Sequence, residues 1–109
     1  MAKFELRKTD SGHFNFSLKN KDGKTLLKSE QYNSKLAALN GIDSVRTNAV
    51  EDKHFALETS HAGQPYFNVK AGNGQIVGTS VMYASVADRD AAIAETKATV
   101  KSAGVVEDV

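Results

Sequence analysis

The stretch Phe14-Asn15-Phe16-Ser17-Leu18-Lys19-Asn20-Lys21-Asp22-Gly23-Lys24-Thr25-Leu26 returns 51 residues later. There it reads Pro65-Tyr66-Phe67-Asn68-Val69-Lys70-Ala71-Gly72-Asn73-Gly74-Gln75-Ile76-Val77. Apolar and polar residues alternate before the turn, as a half-buried strand requires. Phe14, Phe16 and Leu18 mark the inward face of the first copy, Phe67 and Val69 that of the second. Pro65 has no N–H to give, which places it at a strand start or a sheet edge. Asp22-Gly23 and Asn73-Gly74 between alternating runs are strong hairpin signals. They predict a type I′ turn, with positive φ at both central residues. A third strand is expected from about Thr25 to Tyr32 and from Ile76 to Tyr83, with Leu26 and Val77 pointing inward.

Outward from this stretch the offset stays constant. Phe4 falls on Phe55, Leu6 on Leu57, Gly12 on Gly63, Ser29 on Ser80 and Tyr32 on Tyr83. Ser34 falls on Ser85 and Ile42 on Ile93; with Phe16, Lys19 and Gly23 that makes ten identities without a gap. Lys3–Lys8 and its copy His54–Thr59 alternate as first strands. Ser34 and Ser85 stand where helix N-caps belong, and Asp88 three residues after Ser85 approximates a capping box. Leu36, Leu39, Ile42, Val45 and Ala49 form one apolar stripe at helical spacing. The second stripe is weaker: Ala87, Ile93 and Val100 remain, while Asp90 stands where Leu39 stood. Gly104 follows the last helix, and Val105 to Val109 reads as a tail.

Half of a 109-residue chain buries too little surface to be stable alone. The expected architecture is therefore one α+β domain over residues 1–109. Two tandem β3α repeats, about 3–49 and 54–100, share one largely antiparallel sheet with both helices on one face. The core should join Phe4, Phe16, Leu18, Leu39 and Ile42 to Phe55, Phe67, Val69 and Ile93. A monomer with internal pseudo-two-fold symmetry is expected.

These motifs resemble the YegP-like family of small bacterial proteins, a domain of unknown function. The resemblance rests on Phe16-Ser17-Leu18-Lys19, Asp22-Gly23, Ser29-Glu30-Gln31-Tyr32, Ser34 and Gly41-Ile42-Asp43-Ser44-Val45. The second copy carries Phe67-Asn68-Val69-Lys70, Asn73-Gly74, Thr79-Ser80-Val81-Met82-Tyr83 and Ser85. It departs in the helix, with Ala92 for the Gly and Thr96 for the Val. The resemblance implies three strands plus one helix per unit. It implies no activity, ligand or catalytic residue.

Composition excludes several classes. No Cys means no disulfide, thiolate catalysis or cysteine metal site. No apolar run is long enough to span a bilayer, and Met1-Ala2-Lys3-Phe4 leads straight into a strand pattern, so a cytoplasmic protein with no membrane partner is expected. His13, His54 and His61 make no ligand pair at metal spacing. There is no nucleophile elbow, no phosphate loop and no dinucleotide fingerprint. No catalytic residue, metal or cofactor is expected.

The net charge of +1 is unevenly spread. Residues 3–49 hold nine Lys or Arg against five Asp or Glu; residues 54–100 hold three against four. Lys19, Lys21, Lys24 and Lys28 surround the first hairpin, with Lys35 opening the helix; only Lys70 survives in the copy. Two candidate binding sets follow. One is a duplicated polar trio: Lys19, Ser29 and Tyr32 with Lys70, Ser80 and Tyr83. The other is the basic hairpin of Lys19, Lys21, Lys24 and Lys28, suited to phosphates of a polyanion or nucleic acid. Each residue also has a plain structural use: Tyr packing under a helix, Ser bonding backbone near a sheet edge, Lys solvating an edge. The leading expectation is a non-catalytic binding or interaction module that uses the open sheet face or an edge. Its partner is left open between a protein and a polyanion; an enzyme with a non-local site stands third.

Overall fold

The computed structural model describes residues 2–108. Met1 and Val109, which belong to the expected N-terminal approach and tail, lie outside the described residues. The strands are β1 (Lys3–Lys8), β2 (Phe14–Lys19), β3 (Thr25–Lys28), β4 (Phe55–Thr59), β5 (Pro65–Lys70), β6 (Ile76–Thr79) and β7 (Gly104–Asp108). Helix α1 spans Lys35–Asn48, α2 spans Val86–Thr99, and a 3-10 turn, Asp52–His54, precedes β4. The sheet order is β4-β5-β6-β3-β2-β1-β7. Every pairing is antiparallel except β1 with β7.

The repeat sets the geometry of the centre. β3 and β6 meet there through the pair Lys28↔Thr79, which are each other's counterparts at the 51-residue offset. A residue that pairs with its own repeat copy marks a local two-fold axis. Helix α1 packs on β2 of its own half and on β5 and β6 of the other, while α2 packs on β5. One continuous core results. Phe4, Leu6, Phe16, Leu18, Leu27, Ile42 and Val45 are buried with Phe67, Val69 and Val100.

Four hairpins close on the same device. The loops Asp10-Ser11-Gly12, Lys21-Asp22-Gly23, His61-Ala62-Gly63 and Gly72-Asn73-Gly74 each end on a glycine with φ between 82° and 86°. In the second, Gly23 N donates to the Asn20 carbonyl and Asn20 N to that of Lys24. No residue other than glycine has positive φ among the described residues, so the expected type I′ turn is absent. These are three-residue loops, in which only the last position must be left-handed. Asn20 reinforces its loop: its Oδ1 accepts from Asp22 N and Lys24 N.

Several expectations need correction. The third strands stop at Lys28 and Thr79, short of the two tyrosines. A bulge between Leu18 and Lys19 leaves Leu26 and Leu27 both buried, and the same bulge recurs between Val69 and Lys70. The buried stripe of α1 is Ala38, Gly41, Ile42 and Val45, ending at Ala49; Leu36 is exposed and Leu39 only partly buried. In α2 the buried line is Arg89, Ala92, Thr96 and Val100, while Ala87 is exposed and Ile93 partly buried. Thr96 is accepted there because its hydroxyl donates to the Ala92 carbonyl. Phe55 is partly buried rather than fully covered. Most of the expected tail is strand β7. The same offset carries Val106 onto Phe55, so β7 follows α2 as β4 follows α1.

Candidate functional site

The duplicated trio does not form one site. Lys19 lies on the open sheet face, where its Nζ is 3.1 Å from Glu5 Oε1. Tyr32 lies on the helix face, its ring stacked on Phe16 at 6.1 Å between centroids. The strand alternation that buries Phe16 sends Lys19 to the opposite side. Ser29 and Ser80 sit at the sheet centre, not its edge. Each accepts from the backbone N of Phe16 or Phe67, at 2.8 and 3.0 Å, and donates to the next residue's carbonyl. Both hydroxyls are thus engaged in extending the ladder past the strand end. Lys70 keeps its side chain half-exposed, and its carbonyl lies 3.0 Å from Nδ1 of His54.

The basic residues diverge too. Lys28 is exposed on the open face, beside Ser17 of β2. Lys21 and Lys24 are exposed at the hairpin tip, next to α2 and its Glu95. Lys35 pairs with Glu107 of β7. The five lysines therefore face three different surroundings.

What the structure does bring together is Lys24 and Tyr83. Both line a cleft of about 720 Å³ between α2 and the β2–β3 hairpin, the first of the two Asp-Gly and Asn-Gly hairpins, with Asn20, Leu26, Val81 and Ala92. Asp88 and Glu95 belong to its helical wall. Asn20 reaches across from the hairpin, its amide 3.3 Å from Glu95 Oε1. Burial first, and then the Glu95 charge, push the Tyr83 phenol above its usual value, so it stays protonated and able to donate.

The two halves differ at this cleft. In the first half, Gly41 lets Tyr32 seat against α1. A Cβ at Gly41 would overlap the Tyr32 hydroxyl and stand 2.8 Å from its Cζ and 3.0 Å from Phe16 Cε2. The second half has Ala92 at that place, and Tyr83, also partly buried against the core, makes no stack on Phe67 to match that of Tyr32 on Phe16 among the described residues. Tyr83 also loses half of its strand contact. Tyr32 and Phe14 exchange two backbone hydrogen bonds, whereas Tyr83 N donates to Pro65, which has no N–H to return. The Ala92 substitution was visible in the sequence; its bearing on the tyrosine becomes visible only once Tyr32 is seen against Gly41.

No group of three or more His, Asp or Glu able to hold a metal occurs among the described residues, and no described helix is long and apolar enough to cross a membrane.

A further surface hollow, about 340 Å³, lies beside edge strand β4 and is lined by Phe55, Leu57, Ile93 and Ala94, with Asp52, Asp90 and Lys97 around it. Leu57, expected inward, is 57% exposed there, whereas its counterpart Leu6 is fully buried. Both leucines face the helices; Leu57 sits on an uncovered edge.

Residues 10–55 and 60–107 match the family model described as "Domain of unknown function (DUF1508)". Each matched segment runs from a first hairpin turn to the strand after a helix, which aligns β7 with β4. The UPF0339 protein YegP of Escherichia coli (strain K12) is 45% identical over 95 residues, covering 87% of this chain and 86% of that protein. A UPF0339 protein of Pseudomonas aeruginosa is 40% identical over 107 residues, covering 98% and 97%. The solution NMR structure of yegP from E. coli, a protein of unknown function, superposes with a TM-score of 0.92 at 42% identity, covering 98% of this chain and 92% of that one. That of a UPF0339 protein from Shewanella oneidensis gives 0.91 at 40%, covering 97% and 90%. Two tandem copies of one unit, the order of their motifs and this agreement of fold place the chain in the DUF1508 family, whose relatives here are uncharacterised UPF0339 proteins.

Proposed function

We propose that the protein is a non-catalytic binding module whose cleft between the first hairpin and α2 takes a small ligand with an apolar body and an ammonium group. The observation that carries this reading is the amphipathic hollow beside α2, lined by Tyr83 and by Ala92, which replaces the Gly41 of the first half. Leu26, Val81 and Ala92 supply apolar surface. Asp88 and Glu95 lie seven residues apart on α2, about 10 Å along the axis. A carboxylate at each end of an apolar wall suits a cationic head on a hydrocarbon body. Tyr83 adds a hydrogen-bond donor. Lys24, exposed on the hairpin side, keeps its charge in water. The lining offers no nucleophile beside a base, which favours binding over chemistry.

An NMR titration of the ¹⁵N-labelled protein with n-hexylamine, and with n-hexanoate as the charge-reversed control, tests the proposal. The amine should shift amides around Leu26, Val81 and Ala92, and the Glu95→Gln, Asp88→Asn double variant should weaken that response about tenfold. Equal response to the carboxylate, or none to the amine, would overturn it. Salt-sensitive binding of heparin that is lost on changing Lys21, Lys24 and Lys28 to Ala would instead support the polyanion reading.

A further inference from the structure

The two edges of the sheet are built from the same sequence pattern, yet only one is covered. On the β1 side, β7 lies parallel to β1, with Phe4 beside Val105 and Leu6 beside Glu107. Arg46 of α1 holds the segment entering that strand. Its guanidinium donates to the carbonyls of Val100 (2.8 Å), Lys101 (3.2 Å) and Ala103 (2.5 Å) and lies over the Phe4 ring. Lys35 pairs with Glu107. A shift of 51 residues carries Phe4, Leu6, Lys35 and Arg46 onto Phe55, Leu57, Val86 and Lys97. These four belong to the other edge, where β4 is the terminal strand and no strand pairs with its outer side among the described residues. Leu57 is 57% exposed and Val86 55%.

We propose that the outer edge of β4 is a docking site for an extended peptide that adds as an eighth strand parallel to β4, with apolar residues at alternate positions and basic residues flanking them. An edge strand presents unpaired backbone donors and acceptors, and strand addition is an established mode of peptide capture. β4, Phe-Ala-Leu-Glu-Thr, carries neither the lysine nor the proline that blunts such edges. The β7 arrangement supplies the template for direction and position. The chemistry of the occupant follows from the substitutions. Where Lys35 receives Glu107, which lies beside Leu6, the second half has Val86 and the exposed Leu57 at the equivalent positions, which calls for an apolar incoming residue there. Asp52 and Asp90 stand at the rim, 83% and 58% exposed; Lys97 engages Asp52 at 2.6 Å and Arg89 engages Asp90 at 3.2 Å, each through Oδ1 alone. The outer oxygen of each exposed carboxylate is where a basic flank of the peptide would sit. A second copy's β7, ending Glu107-Asp108, would bring like charge to Asp90 and an acid to Leu57, which argues against self-association.

The test uses the full chain, ¹⁵N-labelled, and two end-blocked peptides: Lys-Thr-Val-Thr-Val-Thr-Lys and the same sequence with Glu for both Lys. The basic peptide should shift amides of β4 and the facing side of α2, and bind at least tenfold more tightly than the acidic one. Leu57→Lys should abolish the response; Val86→Lys, remote from the strand backbone, should weaken it by restoring the charge that Lys35 has in the first half, and guards against a folding defect in the first variant. Shifts on the open sheet face or in the Tyr83 cleft, equal binding of the two peptides, or no binding would overturn the proposal. So would β4 shifts that grow with protein concentration alone, which would make the occupant a second copy.

Discussion

Leu27 packs onto its own counterpart in the second repeat: both its δ-methyl carbons lie 3.5 Å from the point where a Cβ on Gly78 would stand. The local axis through Lys28 and Thr79 brings these equivalent positions together on the helix face. Two leucines would compete for that space, so one half supplies the side chain and the other its absence. A tandem duplication can make this division; a symmetric pair of identical units cannot.

Gly78→Ala should therefore be tolerated. The added methyl makes ordinary contact with Leu27, and removing a strand glycine stabilises by up to about 1 kcal/mol. Gly78→Leu should destabilise by about 1–3 kcal/mol through overpacking. The swap of Leu27→Gly with Gly78→Leu should recover much of that loss. Urea midpoints for the single and double variants give the coupling directly; strict additivity would show that the two positions do not share one space.

Gly41 and Ala92 form a second asymmetric pair. Gly41→Ala should cost about 1–3 kcal/mol, because Tyr32 must leave its stack on Phe16. Adding Tyr32→Phe should restore part of it by removing the overlapping hydroxyl. The reverse change, Ala92→Gly, should cost about 1 kcal/mol in helix propensity while opening a seat for Tyr83 and closing the cleft. Nuclear Overhauser contacts between the Tyr83 ring and residue 92 would report the move. A Tyr83 ring that stays put in Ala92→Gly would show that something other than this methyl holds it out.

The sequence discloses the fold wherever one residue pattern dictates one local structure. Alternation at Phe4, Leu6, Phe16 and Leu18, glycine at four turns and serine at two caps each have a single physical use. It misleads where neighbours decide. Leu6 and Leu57 are identical by pattern, but only Leu6 has a strand on either side of it. Leu36 fits a helical stripe by spacing yet falls outside the buried arc by its rotation, and Val105-Val106 reads as tail because five residues show no period of their own. The candidate site suffered most. Lys19, Ser29 and Tyr32 are conspicuous as shared polar residues, yet the sheet divides them between its two faces and its ladder. The cleft depends on a difference between halves, and a comparison of halves highlights what they share.

Glu5 gives the clearest pH signature. It sits among Lys3, Arg7 and Lys19, at 3.4, 2.9 and 3.1 Å, on the open face. The hydrogen bond from Lys19 leads in holding its carboxyl below the ordinary value of 4.5, outweighing the opposing effect of burial. A depressed folded value means that the contribution is present in full above the unfolded value and lost as pH falls through the folded one. Wild-type stability should thus drop more steeply below about pH 4.5 than that of Glu5→Gln. Urea midpoints from neutral pH into the acid range measure both; parallel profiles would remove Glu5 from the account.

Arg46 should govern the C-terminal strand. All five residues of β7 are exposed, so little apolar burial fastens it. Its hold comes from backbone pairing with β1 and from the Arg46 fork on three carbonyls just before it. Hydrogen bonds from a charged donor are worth about 1.5–3 kcal/mol each. Lysine cannot reproduce the planar fork and would leave carbonyls unserved. Arg46→Lys should therefore raise amide exchange in 104–108 at least tenfold while β2, β3, β5 and β6 keep their protection. The apolar cover over Phe4 should thin as well, giving a modest fall in Tm. Exchange that rises equally across the whole sheet would mean that Arg46 supports the shared core and that β7 opens only when the domain unfolds.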